Sequence, residues 1–280
     1  MSDTNRNHKD RVFNLIFGRE ENKSWTLSLY NAVNNSDFTN YDDIQIETIE
    51  NYLYMSMKND VAFVIGDYIN LYEHQSTYNP NMPLREMIYL SRLYEKIIKK
   101  NKMNIYSEKQ LILPAPRFIV FYNGKQEIED KVLRLSDAFP ANVRDKSDIQ
   151  ISVKMLNINY GHNKELMDKC DALKQYSLFI SLIRKYSESF GIDEAINKSI
   201  DDMPDGRLKS YFEWHRAEVL QMLFTEYDEK DYIDAIRKEA KDDINKLTAC
   251  LLKDNRIDDL KRSTEDEEFQ KALLAEYNIC

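Results

Sequence analysis

Cysteine, proline and glycine are scarce in this chain of 280 residues, which carries 3 Cys, 6 Pro and 6 Gly. Three widely separated thiols, Cys170, Cys250 and Cys280, form no CxxC or Cys/His cluster, which excludes a zinc ribbon and a disulfide framework. Such usage suits a reducing cytoplasm, and a cytoplasmic location is the expectation. The small Gly and Pro content leaves no room for an extended low-complexity region. No apolar run approaches the roughly 18 residues of a membrane helix. The polar start Met1-Ser-Asp-Thr-Asn-Arg-Asn-His8 lacks the apolar stretch of a signal peptide. The four histidines, His8, His74, His162 and His215, show no HxxxH spacing, and no nucleophilic triad can be assembled from the unpatterned Ser and Cys residues. Gly18-Arg-Glu-Glu-Asn-Lys-Ser24 lacks the second glycine of a phosphate-binding loop.

What is present is aromatic and acidic. The chain has 18 Tyr and 12 Phe, enough apolar bulk for a substantial core, and a net charge of −9. That charge alone counts against nucleic-acid binding. Much of the acidity is concentrated after residue 190, in runs such as Asp201-Asp202 and Glu265-Asp-Glu-Glu268, so the first part can still present a local basic surface.

Helical periodicity marks residues 1–40 through Val12, Phe13, Ile16 and Phe17, then Trp25, Leu27 and Leu29. Ile44, Ile46, Thr48, Tyr52 and Tyr54 alternate as in a half-buried strand. Val61-Ala-Phe-Val-Ile65 and Tyr68-Ile-Asn-Leu-Tyr72, split by Gly66-Asp67, predict a tight hairpin. Pro80 and Pro83 close its exit, and Leu84, Met87, Ile88, Tyr94, Ile97 and Ile98 mark an amphipathic helix. Arg117–Tyr122 and Ile151–Ile158 predict further strands, and everything beyond Asn163 reads as helical. The expected fold is α/β, a mixed sheet with helices packed on it and a helical C-terminal extension. A break at Ser189–Asp193 suggests a first domain over 1–190 and a helical region over 191–280. In the latter, the face formed by Leu208, Tyr211, Phe212, His215, Val219, Leu220 and Leu223 predicts core or a surface for self-association.

The hairpin carries the chemistry. With Gly66-Asp67 as the turn, residue 65 opposes 68 and, counting outward, Asp60 opposes Glu73. Cross-strand partners have Cβ atoms roughly 4.5–5.5 Å apart, where like charges repel. A divalent cation bridging both carboxylates would offset that cost. Alternation puts Gln75 on the face of Glu73, with Lys58 opposite Gln75 and His74 pointing the other way. Acidic ligands beside a polar group that orients water suit metal-assisted phosphodiester hydrolysis. Solvated acids are also common at strand ends, so spacing leaves both readings open. On the following helix Arg85, Tyr89, Arg92, Lys96 and Lys99 share one face. They could contact phosphates or, flanked by Glu86 and Glu95, form an ordinary solvated surface; Arg85 and Tyr89 are the stronger candidates, and Lys23 is a weak one.

Several segments together resemble the recombination-promoting nuclease and transposase-like family of the PD-(D/E)XK nuclease superfamily. They are Lys58-Asn-Asp-Val-Ala-Phe63, Asn70-Leu-Tyr-Glu-His-Gln-Ser-Thr-Tyr-Asn-Pro-Asn-Met-Pro-Leu-Arg85, Asp10–Phe17, Pro116–Gly124 and Asn157–Asn163. The resemblance covers about two-thirds of the chain. It implies a restriction-endonuclease-like mixed sheet and a DNA endonuclease, linked to recombination or mobile elements. Asp60 and Glu73 would hold Mg2+, with Mn2+ able to substitute, and the main-chain carbonyl of His74 would complete the metal sphere. Gln75 stands where many superfamily members carry lysine, which removes a cation that could assist the attacking water. The implied partners are DNA and a divalent metal, with no membrane and a homo-oligomer conceivable through the C-terminal helices. The alternative is a non-catalytic interaction protein on the same scaffold.

Overall fold

The computed structural model describes residues 11–47, 61–277 and 279. Two compact units divide the chain, Met1–Phe224 and Thr225–Cys280. The first is a mixed α/β unit built on a six-stranded sheet. Its elements are α1 (Arg11–Phe17), α2 (Lys23–Asn34), β1 (Gln45–Ile46), β2 (Val61–Ile65), β3 (Tyr68–Gln75), α3 (Met82–Lys100), β4 (Ala115–Tyr122), β5 (Lys131–Arg134), β6 (Ser152–Asn157), α4 (Lys164–Lys169), α5 (Asp171–Tyr186), α6 (Ile192–Asp201) and α7 (Arg207–Trp214). Helix α8 (Arg216–Lys253) begins in this unit.

The sheet order is β1-β2-β3-β4-β6-β5. β1–β2, β2–β3 and β5–β6 pair antiparallel, whereas β3–β4 and β4–β6 pair parallel. The hairpin has the register read from its turn: Ile65 opposes Tyr68 and Val61 opposes Tyr72. Gly66 adopts φ +54, a conformation glycine enters without a Cβ penalty. Asp60 and Lys58 lie outside the described residues, as do Thr48, Tyr52 and Tyr54 of the expected alternating strand.

Period-two alternation divides the sheet residues between two helical layers. On one face Ala62, Ile69, Leu71, Phe118, Val120, Val153 and Met155 pack against Met82, Tyr89, Leu93 and Ile97 of α3. On the other, Phe63 meets Tyr30 of α2, Phe121 meets Phe13 of α1, and His74 meets Tyr176 of α5. Strands buried on both sides account for the continuous apolar runs in β2 and β4.

The expected boundary at residue 190 falls between α5 and α6, which pack closely together inside the first unit. Leu208, Phe212, Val219 and Leu223 are buried there, so this helical face is core. The short strand β5 was not anticipated; its residues Lys131-Val-Leu-Arg134 are mostly exposed, and only Leu133 enters the core. The second unit contains the remainder of α8, α9 (Ile257–Ser263) and α10 (Glu267–Glu276), around Leu247, Leu251 and Leu273. Among the described residues no helix is long and apolar enough to cross a membrane.

Candidate active site

The parallel strands β3, β4 and β6 end at Gln75, Tyr122 and Asn157. The carboxyl ends of parallel strands are where α/β sheets open crevices for ligands. Glu73 approaches this edge on the α3 side, two residues before the end of β3 and level with Val120 of β4. It is 1% exposed.

Helix α3 places the groups around it. The loop Ser76–Asn81 turns the chain back, and Pro83 occupies the first turn, where its missing N–H costs no helical bond. Arg85 is thereby carried over Glu73: its Nη2 donates to Glu73 Oε2 at 3.3 Å and to Tyr89 Oη at 2.9 Å. The same guanidinium lies 5.7 Å from the Tyr89 ring centroid, so the tyrosine holds Arg85 by hydroxyl and ring together. Tyr89, expected on an exposed cationic face, is instead buried in the α3–sheet layer. Burial and then the charge of Glu73 raise its phenol well above the ordinary range, which keeps it protonated. Its role at the site is to position Arg85.

Glu86, the next residue, points inward and is fully buried. Neither of its carboxyl oxygens finds a hydrogen-bond partner among the described residues. Burial, and next the charge of Glu73, push its pKa well above the usual carboxylate range, with Arg85 opposing. Read from sequence, Glu86 was merely an acid flanking the cationic stripe. The available signal was spacing: Met82, Glu86, Leu93 and Ile97 fall on one helical face, and the other three are core.

Gln75 closes β3, half-buried, and its main-chain carbonyl accepts from the Asn123 N–H at 3.0 Å. His74 points to the opposite face, as alternation required. Its ring is stacked on Phe13 with centroids 5.3 Å apart, and Nε2 lies 3.0 Å from Tyr176 Oη. The imidazole therefore fixes the strand from behind. Beside Gln75, Asn123 and Gly124 form a tight corner: a Cβ on Gly124 would come within 2.6 Å of the Ser76 carbonyl. Arg184 donates to the Asn123 carbonyl and to Asn159 Oδ1, and Asn159 donates to the Gly124 carbonyl at 3.1 Å. Asp130 Oδ1 accepts from the Asn157 N–H at 2.7 Å and from Asn163 Nδ2 at 2.8 Å. The polar segment Asn157–Asn163 is thus tied to Gly124, just beyond β4, and to Asp130, just before β5.

The other expected residues are not gathered here. Lys23 opens α2, in the opposite layer, with Nζ 2.6 Å from Glu20. Arg92 lies on the solvent side of α3, about two turns beyond Arg85. Lys96 and Lys100 instead hold the buried Glu47 at 2.8 and 3.1 Å. Among the described residues no group of three or more His, Cys, Asp or Glu side chains could hold a metal ion. A cation at Glu73 would need donors from Asp60 or from the main chain. The donor set that is described, a buried carboxylate beside a second buried carboxyl, has the oxygen chemistry a hard divalent cation takes.

No family model, curated protein or solved structure matches the chain.

Proposed function

We propose that this protein is a metal-dependent DNA endonuclease with a PD-(D/E)XK, restriction-endonuclease-like core, allied to the recombination-promoting nuclease and transposase-like family. The observation that carries the reading is Glu73, a carboxylate buried near the carboxyl ends of the parallel strands of a mixed sheet with Arg85 in contact. Asp60, Glu73 and the His74 carbonyl would hold Mg2+ or Mn2+. When bound, such an ion polarises the scissile phosphate and makes its water a nucleophile near neutral pH. Gln75 has a neutral amide able to orient that water by donating and accepting hydrogen bonds. The Arg85 guanidinium, partly exposed and held by Tyr89, matches the bidentate geometry of a phosphodiester. His74, with Tyr176 and Phe13 behind it, keeps the main chain of 73–75 in place.

A second reading, a non-catalytic interaction protein, is favoured by one feature: Arg85 already neutralises Glu73. The two separate in a plasmid assay with Mg2+, Mn2+ or EDTA, run beside Asp60→Ala and Glu73→Ala. The nuclease reading expects metal-dependent nicking that both substitutions abolish. Folded wild type that neither cuts at high concentration nor binds either metal establishes the interaction protein.

A further inference from the structure

Two buried acids lie on the α3 side of β3, and only Glu73 is used by the reading above. Glu86 is 0% exposed, and both its oxygens lack hydrogen-bond partners among the described residues. Burying a carboxyl without hydrogen bonds carries a large desolvation penalty that nothing among the described side chains offsets. The surrounding layer of Met82, Tyr89 and Leu93 would accept Met or Leu at position 86 without that cost. Packing therefore does not explain an acid here.

Placement does. Pro83 sets the first turn of α3, Arg85 reaches Glu73 from the next positions, and Glu86 follows it on the inward face. Glu73 follows Leu71 by two residues on the α3 side of its strand, level with Val120, and Glu86 lies between Met82 and Tyr89 on the sheet side of its helix, so both buried carboxyls enter the layer between strand and helix. Arg85 contacts Glu73, and a divalent cation taken up by that carboxylate calls for further oxygen ligands.

Resting on the metal-dependent reading of this site, we propose that Glu86 is a further ligand of the same divalent cation as Glu73, so that the centre draws carboxylates from helix α3 as well as from strand β3. The cation site would then be a helix–strand clamp, with α3 contributing an acid from its buried face.

The test is calorimetric titration of the full chain with Mn2+ alone, with thermal melting of each variant. Wild type is compared with Glu73→Gln, Glu86→Gln, Glu86→Asp and Glu86→Met. Glu86→Gln is expected to weaken Mn2+ by at least about tenfold, the scale of losses when even supporting groups around a metal are removed. It should melt no lower than wild type, since it removes only a costly acid. Glu86→Asp should retain part of the affinity, and Glu86→Met should lose it while folding well. Mn2+ binding by Glu86→Gln and Glu86→Met within about twofold of wild type, with Glu73→Gln impaired, overturns the assignment of Glu86 and leaves the nuclease reading standing. If Glu86→Gln fails to fold, Glu86→Met and Glu86→Asp decide by the same criterion. No Mn2+ binding by wild type overturns both.

Discussion

Arg85 is the residue on which the site turns, because it touches Glu73 and Tyr89 at once. A carboxylate 1% exposed depends on neighbouring donors for solvation it no longer receives from water. Arg85→Gln removes a charged donor from a buried acceptor, and we expect it to lower stability by about 2 kcal/mol, measured by urea denaturation. On the proposed metal-dependent reading the same substitution should tighten Mn2+, since a guanidinium on Glu73 would compete with a cation for the same oxygen. Weaker Mn2+ binding by a folded Arg85→Gln protein would show that Arg85 supports the metal site. Glu47 gives a pH prediction. Burial raises its pKa, but the Lys96 and Lys100 ammonium groups outweigh that and hold the carboxyl below its ordinary value. A folded pKa lower than the unfolded one means a contribution complete above the unfolded value and lost as pH falls through the folded one. The stability gap between wild type and Glu47→Gln should therefore be widest near neutrality and close on acidification. A gap that persists in strong acid would assign the effect to shape rather than charge. Both ammonium groups are substantially exposed, so added salt should narrow the gap as well.

At the scale of elements, β3 serves two faces: Glu73 looks toward α3, and His74 packs into the layer of Phe13 and Tyr176. Tyr176→Phe removes the hydroxyl at His74 Nε2 while keeping the ring. The expected cost is about 1–3 kcal/mol for a buried group losing this partner and, on the proposed nuclease reading, slower cleavage as β3 loosens; urea denaturation beside the plasmid assay reads both. Full stability in that variant would show that stacking on Phe13 suffices. Gly66-Asp67 and strict alternation made the hairpin register legible, and with it the faces of Glu73, His74 and Gln75. The strand ending at Tyr122 and the one within 151–158 were legible from apolar runs buried on both sides. What stayed hidden depends on tertiary contacts. Strand β5 has a single core residue, too short a pattern to register against a loop. Tyr89 and Glu86 were counted by their polar ends, whereas their positions on α3 send them inward with Leu93. The Asp130–Asn157–Asn163 bonds join residues some 30 positions apart, a pairing no local pattern contains.

For the whole molecule, the division at Phe224 bears on how an acidic protein could act on DNA. Residues 225–280 carry 10 Lys or Arg against 16 Asp or Glu, so six of the nine excess negative charges lie there. The unit containing the candidate site has an excess of only three, a near balance in which Arg85 and its neighbours can present a local positive edge. The two units also differ in what they bury. The first has a sheet covered by α3 on one face and by α1, α2 and α5 on the other. The core of the second is Leu247, Leu251 and Leu273, with Leu260, Phe269 and Tyr277 packed against it, and a chain of that length buries too little surface for much stability. Arg256, bonded to Asp259 and Glu276 at 2.5 Å each, is only partly buried, and ion pairs open to solvent add little. A protein ending after Phe224 keeps Val219 and Leu223, the buried residues of early α8, and should unfold in one cooperative transition with Mn2+ affinity unchanged. Residues 225–280 alone should show helical circular dichroism with a shallow melt. Loss of the cooperative transition on removing 225–280 would mean that the first unit depends on the second for its fold, and loss of Mn2+ affinity alone would place a metal ligand in the acidic helices.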